Sequence, residues 1–224
     1  MKKILIVVTN HPNLGETDKE NGTYAVELTH PLDVFLNAGY EYDIASIKGG
    51  KAPIYGTEME GDEVNSRILA SEDFKERFNN TIPVSQINIE QYDAIYYPGG
   101  FGLLSDLATN EEFAKLSAEH YESGGVLGSV CHGPAGLLPI KLSNGESLIS
   151  NKVVTGFTRE EEIDFGSIDD IPFLLEESLT RLAAQYSKKQ PWEKHVIDDD
   201  RVITGQNPQS AYGVGQAIVK RLST

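Results

Sequence analysis

Cys131 is the single cysteine of a 224-residue chain, and it stands in the run Ser129-Val130-Cys131-His132-Gly133. Small residues two positions to either side suit a sharp turn from a buried strand into a helix, with the nucleophile strained above the sheet. At a helix N-terminus the dipole and free amide groups favour thiolate over thiol. A lone cysteine is by residue type more often an inert small hydrophobe. The elbow setting argues instead for a reactive, solvent-reachable thiol of low pKa. His132 follows at once, close enough to exchange a proton with the sulfur if its ring turns back, and such a histidine needs a carboxylate to fix its tautomer. The acidic run Glu160-Glu161-Glu162 falls just after an expected strand, at the carboxyl edge where sites form in open α/β sheets. One of the three is expected to point inward, the others into solvent. At Pro98-Gly99-Gly100-Phe101-Gly102, glycines let backbone amides approach a substrate oxygen as an oxyanion hole. Gly99 and Phe101 are the expected substrate contacts there.

Those residues require elements to hold them. Lys3 to Val8 is a continuous apolar run of the kind found in strands buried on both faces. Tyr42 to Ile47, Ala94 to Tyr97, Val126 to Val130 and Val153 to Thr155 are the further strands. Helices are expected near Glu27 to Ala38, after Asn110 as N-cap, from about Pro172 to Tyr186, and from about Gln209 to Leu222. His195 to Ile197 and Val202 to Thr204 read as a hairpin around Asp198-Asp199-Asp200. Strands alternating with helices give a doubly wound, mostly parallel α/β sheet with helices on both faces. Residues 1–224 form a single domain in this reading, with 49–91 as a covering insertion lacking its own core.

The composition narrows the partners. Hydrophobic residues make up 39% and charged residues 24%, which excludes intrinsic disorder. Nineteen Lys and Arg against 34 Asp and Glu give a formal charge of −15, which repels nucleic acid and anionic membranes. One cysteine cannot close an internal disulfide, so a reducing cytoplasm is the expected compartment. The apolar run after Met1-Lys2-Lys3 is too short for a signal peptide. The stretch from Ser123 to Ile140 holds too many glycines and prolines for a membrane span. Five histidines without paired ligand spacing imply no metal, and neither a full dinucleotide fingerprint nor a Walker motif occurs.

Four motifs in fixed order, Tyr97-Pro98-Gly99-Gly100, Val130-Cys131-His132-Gly133-Pro134-Ala135, Val154-Thr155-Gly156-Phe157-Thr158 and Thr204-Gly205-Gln206-Asn207-Pro208, resemble the ThiJ/PfpI superfamily. Its fold is flavodoxin-like, of the class I glutamine amidotransferase type. The stretch Gly22-Thr23-Tyr24-Ala25-Val26-Glu27 with His30-Pro31 is similar to the heat-shock-protein-31-like, glyoxalase III branch. The resemblance implies Cys131 as nucleophile, His132 beside it, and Glu27 as a buried, protonated carboxyl in contact with the sulfur. It implies Gly100 and the His132 backbone as oxyanion donors and Glu162 as third triad member, with Glu161 the alternative. It further implies a homodimer and a cofactor-independent glyoxalase III that turns methylglyoxal and related 2-oxoaldehydes into 2-hydroxy acids such as lactate. The alternative is a stress-response chaperone or deglycase with Cys131 as redox sensor. A peptidase or amidotransferase ranks lower, since the chain lacks a His-x-Glu triplet near its C-terminus. With 49–91 and 157–170 as covers, the expected pocket is narrow, admitting two- or three-carbon aldehydes.

Overall fold

The computed structural model describes all 224 residues. In chain order the elements are β1 (Lys3–Val7), β2 (Thr23–Tyr24), α1 (Ala25–Asn37), β3 (Glu41–Ser46), β4 (Ile54–Tyr55), α2 (Glu63–Ala70), α3 (Glu72–Asn79), β5 (Ile82–Pro83) and β6 (Ala94–Tyr97). They continue with α4 (Gly102–Ser105), α5 (Glu111–Glu122), β7 (Val126–Val130), β8 (Val153–Val154), α6 (Arg159–Phe165), α7 (Leu175–Leu182), β9 (Gln185–Tyr186), β10 (Val196–Asp199), β11 (Val202–Gly205) and α8 (Ala211–Leu222). The central sheet has the order β10-β11-β7-β6-β1-β3-β5, and every pairing in it is parallel except β10 with β11.

Side chains alternate across a strand, so β1 feeds two cores. Leu5 and Val7 pack in one layer with Phe113 and Ala114 of α5, while Ile4 and Ile6 pack in the other with Leu28, Leu32 and Phe35 of α1 and Val214 and Ile218 of α8. This two-sided burial explains the uninterrupted apolar run of β1 and makes the sheet doubly wound.

Three expected elements take a different form. Val153 and Val154 do not join the central sheet; they pair with β9, and β11 fills the place beside β7. The helix expected from Pro172 to Tyr186 is only α7, because Ser187 donates its amide to Val154 and Tyr186 its hydroxyl to Gly156 (2.9 and 2.8 Å), drawing the chain into an extended pair. After the elbow comes a 3₁₀ helix, Gly133–Leu137, and not an α-helix. The stretch 49–91 divides by contact. Its Tyr55, Met59 and Asp62 face the site described below, whereas Ala52, Ile68, Phe74 and Phe78 are buried in the core beneath α1 and β5 extends the sheet edge. No helix is long and apolar enough to cross a membrane.

Candidate active site

β7 delivers the chain into Cys131, whose φ of 59° is left-handed. For a residue with a Cβ this conformation costs on the order of 1–3 kcal/mol and persists only where neighbours enforce it. Two backbone bonds do so: the Cys131 amide donates to Gly205 O, continuing the β7–β11 ladder, and Phe157 donates to Cys131 O, both at 2.9 Å. The turn aims Sγ back at His132, with Sγ and Nδ1 3.4 Å apart. On the far side of the ring, His132 Nε2–H donates to Glu162 Oε1 at 2.6 Å. That bond leaves Nδ1 as the lone-pair nitrogen facing the thiol. The rings of Phe101 and Phe157 hold the imidazole from either side, at 4.4 and 4.6 Å between centroids.

Glu162, Glu161 and Glu160 part company here. Glu162 is fully buried, so it is no surface-loop carboxylate, and Ser167 Oγ donates to its second oxygen. Glu161 is equally buried but faces away from the imidazole. It accepts from the amides of Thr158 and Trp192 and from the side chains of Gln206 and Asn207, at 2.8 to 3.1 Å. Together with Thr158 it forms the capping box of α6. Glu160 is exposed and paired with Lys188.

Glu27, in the first turn of α1, is fully buried with its carboxyl against the Cys131 sulfur and the Gly99 amide. Neither oxygen completes a well-formed hydrogen bond. Burial is the dominant influence and raises its pKa to about 8, so Glu27 stays largely protonated at neutral pH. The thiol departs from the low-pKa expectation. Burial first, then the charge and hydrogen bond of Glu27 and the charges of Glu161 and Glu162, push Cys131 well above the usual thiol range. The five-residue 3₁₀ helix that follows offers little dipole to oppose them. The resting pair is therefore thiol and carboxylic acid, with His132 Nδ1 the base within reach of the sulfur.

Gly99 does not line the cavity above Cys131 but lies beneath the Glu27–Cys131 pair. A β-carbon there would stand 2.1 Å from Glu27 Oε2 and 2.7 Å from Cys131 Cβ. Gly100 holds φ at +120°, and a β-carbon there would stand 2.1 Å from Gly22 O, so only glycine fits. Asn21 Oδ1 accepts the Phe101 amide at 3.1 Å and Gly99 O accepts the Tyr24 amide at 3.0 Å, fixing this turn. The amides of Gly100 and His132 have no acceptor within the protein.

A family model described as the DJ-1/PfpI family matches residues 19–221. The chain belongs to the DJ-1/PfpI family. It is similar to the crystal structure of the Francisella tularensis Rapid Encystment Protein 24 kDa, with 37% identity, a TM-score of 0.94 and 99% of both chains covered. It is also similar to glyoxalase III of Candida albicans, at 29% identity and a TM-score of 0.89, covering 98% of this chain and 97% of that one. Glutathione-independent glyoxalase HSP31 of Saccharomyces cerevisiae is 30% identical over 227 residues, 94% of each chain.

In this DJ-1/PfpI chain the thiol opens into a cavity of about 530 Å³, lined mainly by apolar and aromatic residues. Phe101 lines it as expected, together with Tyr24, Tyr55, Phe157 and Trp192. The narrow pocket expected for small aldehydes is therefore not what the chain builds; the volume lies in the range of sites that take drug-sized ligands. Burial raises the phenol pKa values of Tyr24 and Tyr55, keeping both neutral. Tyr55, Trp192 and Asn21 went unmarked in the sequence because each meets the site through a contact remote along the chain, and Ser167 because its bond to Glu162 forms only once α6 has ended at Gly166. Gln206-Asn207 stood within a family motif, but only its bonds to Glu161 explain it.

Proposed function

We propose that this protein is a cofactor-independent glyoxalase of the glyoxalase III type, converting 2-oxoaldehydes such as methylglyoxal to 2-hydroxy acids. The observation that carries this reading is the contiguous chain Glu27–Cys131–His132–Glu162 at the floor of a reachable cavity, in a chain similar over nearly its full length to named glyoxalases. Cys131 gives its proton to His132 Nδ1 as sulfur adds to the aldehyde carbon, and Glu162 steadies the resulting imidazolium. The oxygen of the hemithioacetal takes the open amides of Gly100 and His132. His132 passes that proton on to the hemithioacetal oxygen, and its neutral Nδ1 then removes the C1 hydrogen as a proton and returns it to C2 through an enediol, with Glu27 beside the sulfur as a carboxylic acid. Water hydrolyses the thioester, and the departing sulfur recovers its proton from His132. Residues 55–62 act in this reading as part of the cover of a single domain, and a second copy of the chain is the expected partner.

Proton NMR of the protein with methylglyoxal, without glutathione, tests the reading. Lactate should accumulate as methylglyoxal disappears; unchanged methylglyoxal would reject it.

A further inference from the structure

His30 and Asp62 form an ionisable pair in the wall of the same cavity, and the scheme above gives them nothing to do. His30 lies three residues after Glu27 on α1, so the two side chains are neighbours on one face, with β-carbons about 5–6 Å apart. Its Nε2–H donates to Asp62 Oδ2 at 2.8 Å. Asp62 is itself fixed as the N-cap of α2, its other oxygen accepting the Asn65 amide at 2.9 Å. The imidazole is thus oriented by a carboxylate much as His132 is by Glu162. Its remaining nitrogen, Nδ1, has no protein partner and is not sealed from solvent.

The chemistry has a vacancy of matching kind. When C1 loses its hydrogen, negative charge develops on the C2 oxygen, whereas the Gly100 and His132 amides are taken by the oxygen on C1. In a largely apolar cavity an unpartnered enolate oxygen is costly. We propose that His30, held by Asp62, binds the C2 carbonyl oxygen of the 2-oxoaldehyde and protonates it as the enediol forms.

The inference rests on the glyoxalase reading, and its protons balance. The base takes the C1 hydrogen as a proton while His30 Nδ1–H gives one to the C2 oxygen, and that oxygen keeps it as the hydroxyl of the product. The base returns its proton to C2. The C1 hydroxyl then releases a proton as the thioester carbonyl forms, and this proton restores His30. The titratable groups around His30 are Asp62 from the start of α2, Tyr24 and Glu27 from the start of α1, Asp33 one turn on, Tyr55 of β4 and Tyr212 of α8. Against the upward push of burial, the Asn65 amide and His30 hold the Asp62 carboxyl below its ordinary range.

The test compares wild type with His30→Phe and His30→Gln, measuring kcat with methylglyoxal from about pH 5 to about pH 8, where histidine titrates. Alkylation of Cys131 by iodoacetamide serves as a second readout of an intact nucleophile. His30→Phe should lose about 10²-fold or more in kcat, the usual contribution of a general acid, with alkylation unchanged. His30→Gln, which donates a hydrogen bond but cannot transfer a proton, should recover only part of the rate and give a pH profile of different shape from wild type. Wild-type kcat in His30→Phe, or a wild-type pH profile in His30→Gln, would overturn the role of His30 while leaving the glyoxalase reading standing. If His30→Phe does not fold, the His30→Gln profile decides. A wild type that forms no 2-hydroxy acid would overturn both.

Discussion

Glu161 and Glu162 are adjacent and equally buried, yet their surroundings assign them opposite duties. Glu162→Gln leaves an amide whose NH₂ group can oppose the Nε2–H tautomer of His132, and the turnover of 2-oxoaldehyde should fall on the order of a thousandfold with the fold retained. Glu161→Ala strands the donors of Trp192, Gln206 and Asn207. Leaving buried donors unpaired costs about 1–3 kcal/mol each, so this variant should show a clear loss of Tm by calorimetry. The reverse pattern, full turnover in Glu162→Gln with a stable Glu161→Ala, would exchange the two assignments. Glu27 makes a separate prediction. Burial raises its pKa from 4.5 to about 8, so the folded state binds this proton more tightly than the unfolded chain does. Stability from this site is therefore greatest at acid pH, declines as pH rises between the two values, and levels off above about 8. Denaturant melts should show Glu27→Gln gaining on wild type from pH 5 to pH 8, by about 3–4 kcal/mol. A constant difference between the two would mean that Glu27 is ionised throughout.

At the scale of elements, α1 is built around a missing hydrogen bond. Pro31 lies inside the helix and has no N–H to give to Glu27 O, four residues back. Tyr96 of β6 supplies the donor instead, its hydroxyl 2.5 Å from Glu27 O. The sheet thereby grips the backbone of the residue whose carboxyl must meet Cys131. Tyr96→Phe should cost about 1–3 kcal/mol, the penalty of a buried acceptor left alone, and should also slow turnover by freeing Glu27. Full activity together with lower stability would show that the grip serves the fold alone. The sequence displayed the elbow through its small residues, whereas the acidic run read only as a segment at the carboxyl edge of the sheet and not as the first turn of α6. It could not display the Tyr96–Pro31 arrangement, because the two residues are 65 positions apart. The 3₁₀ form of Gly133–Leu137 was likewise hidden, and with it the weakness of the dipole beneath the thiol. The raised thiol follows from burial and then from three carboxyls converging from α1 and α6, neither of which spacing along the chain reveals.

For the whole molecule, the continuous apolar run of β1 and the βα rhythm sufficed to specify a doubly wound sheet. The misplaced strand, Val153 to Thr155, failed because a short apolar run does not say which sheet it joins; β11, read only as half of a hairpin, takes that position. Cavity size was legible least of all. Tyr24 and Tyr55 meet at 5.0 Å between ring centroids, and Phe165 and Tyr212 stay about half exposed at the mouth. Such walls gain from an apolar arm on the substrate, since burial returns roughly 25 cal/mol per Å². The kcat/KM for phenylglyoxal should therefore exceed that for methylglyoxal, with the difference residing mainly in KM. A higher value for methylglyoxal would restore the narrow, closed pocket.

The central claim is that the aldehyde is carried covalently by Cys131 while its hydrogen moves. Acid-quenched peptide mass spectrometry during methylglyoxal turnover tests this most directly. The account predicts a mass increase of one substrate on the peptide holding Cys131, absent before substrate is added and gone once it is consumed, together with no turnover in Cys131→Ala. Steady turnover with Cys131 unmodified, or sustained turnover in Cys131→Ala, would contradict it.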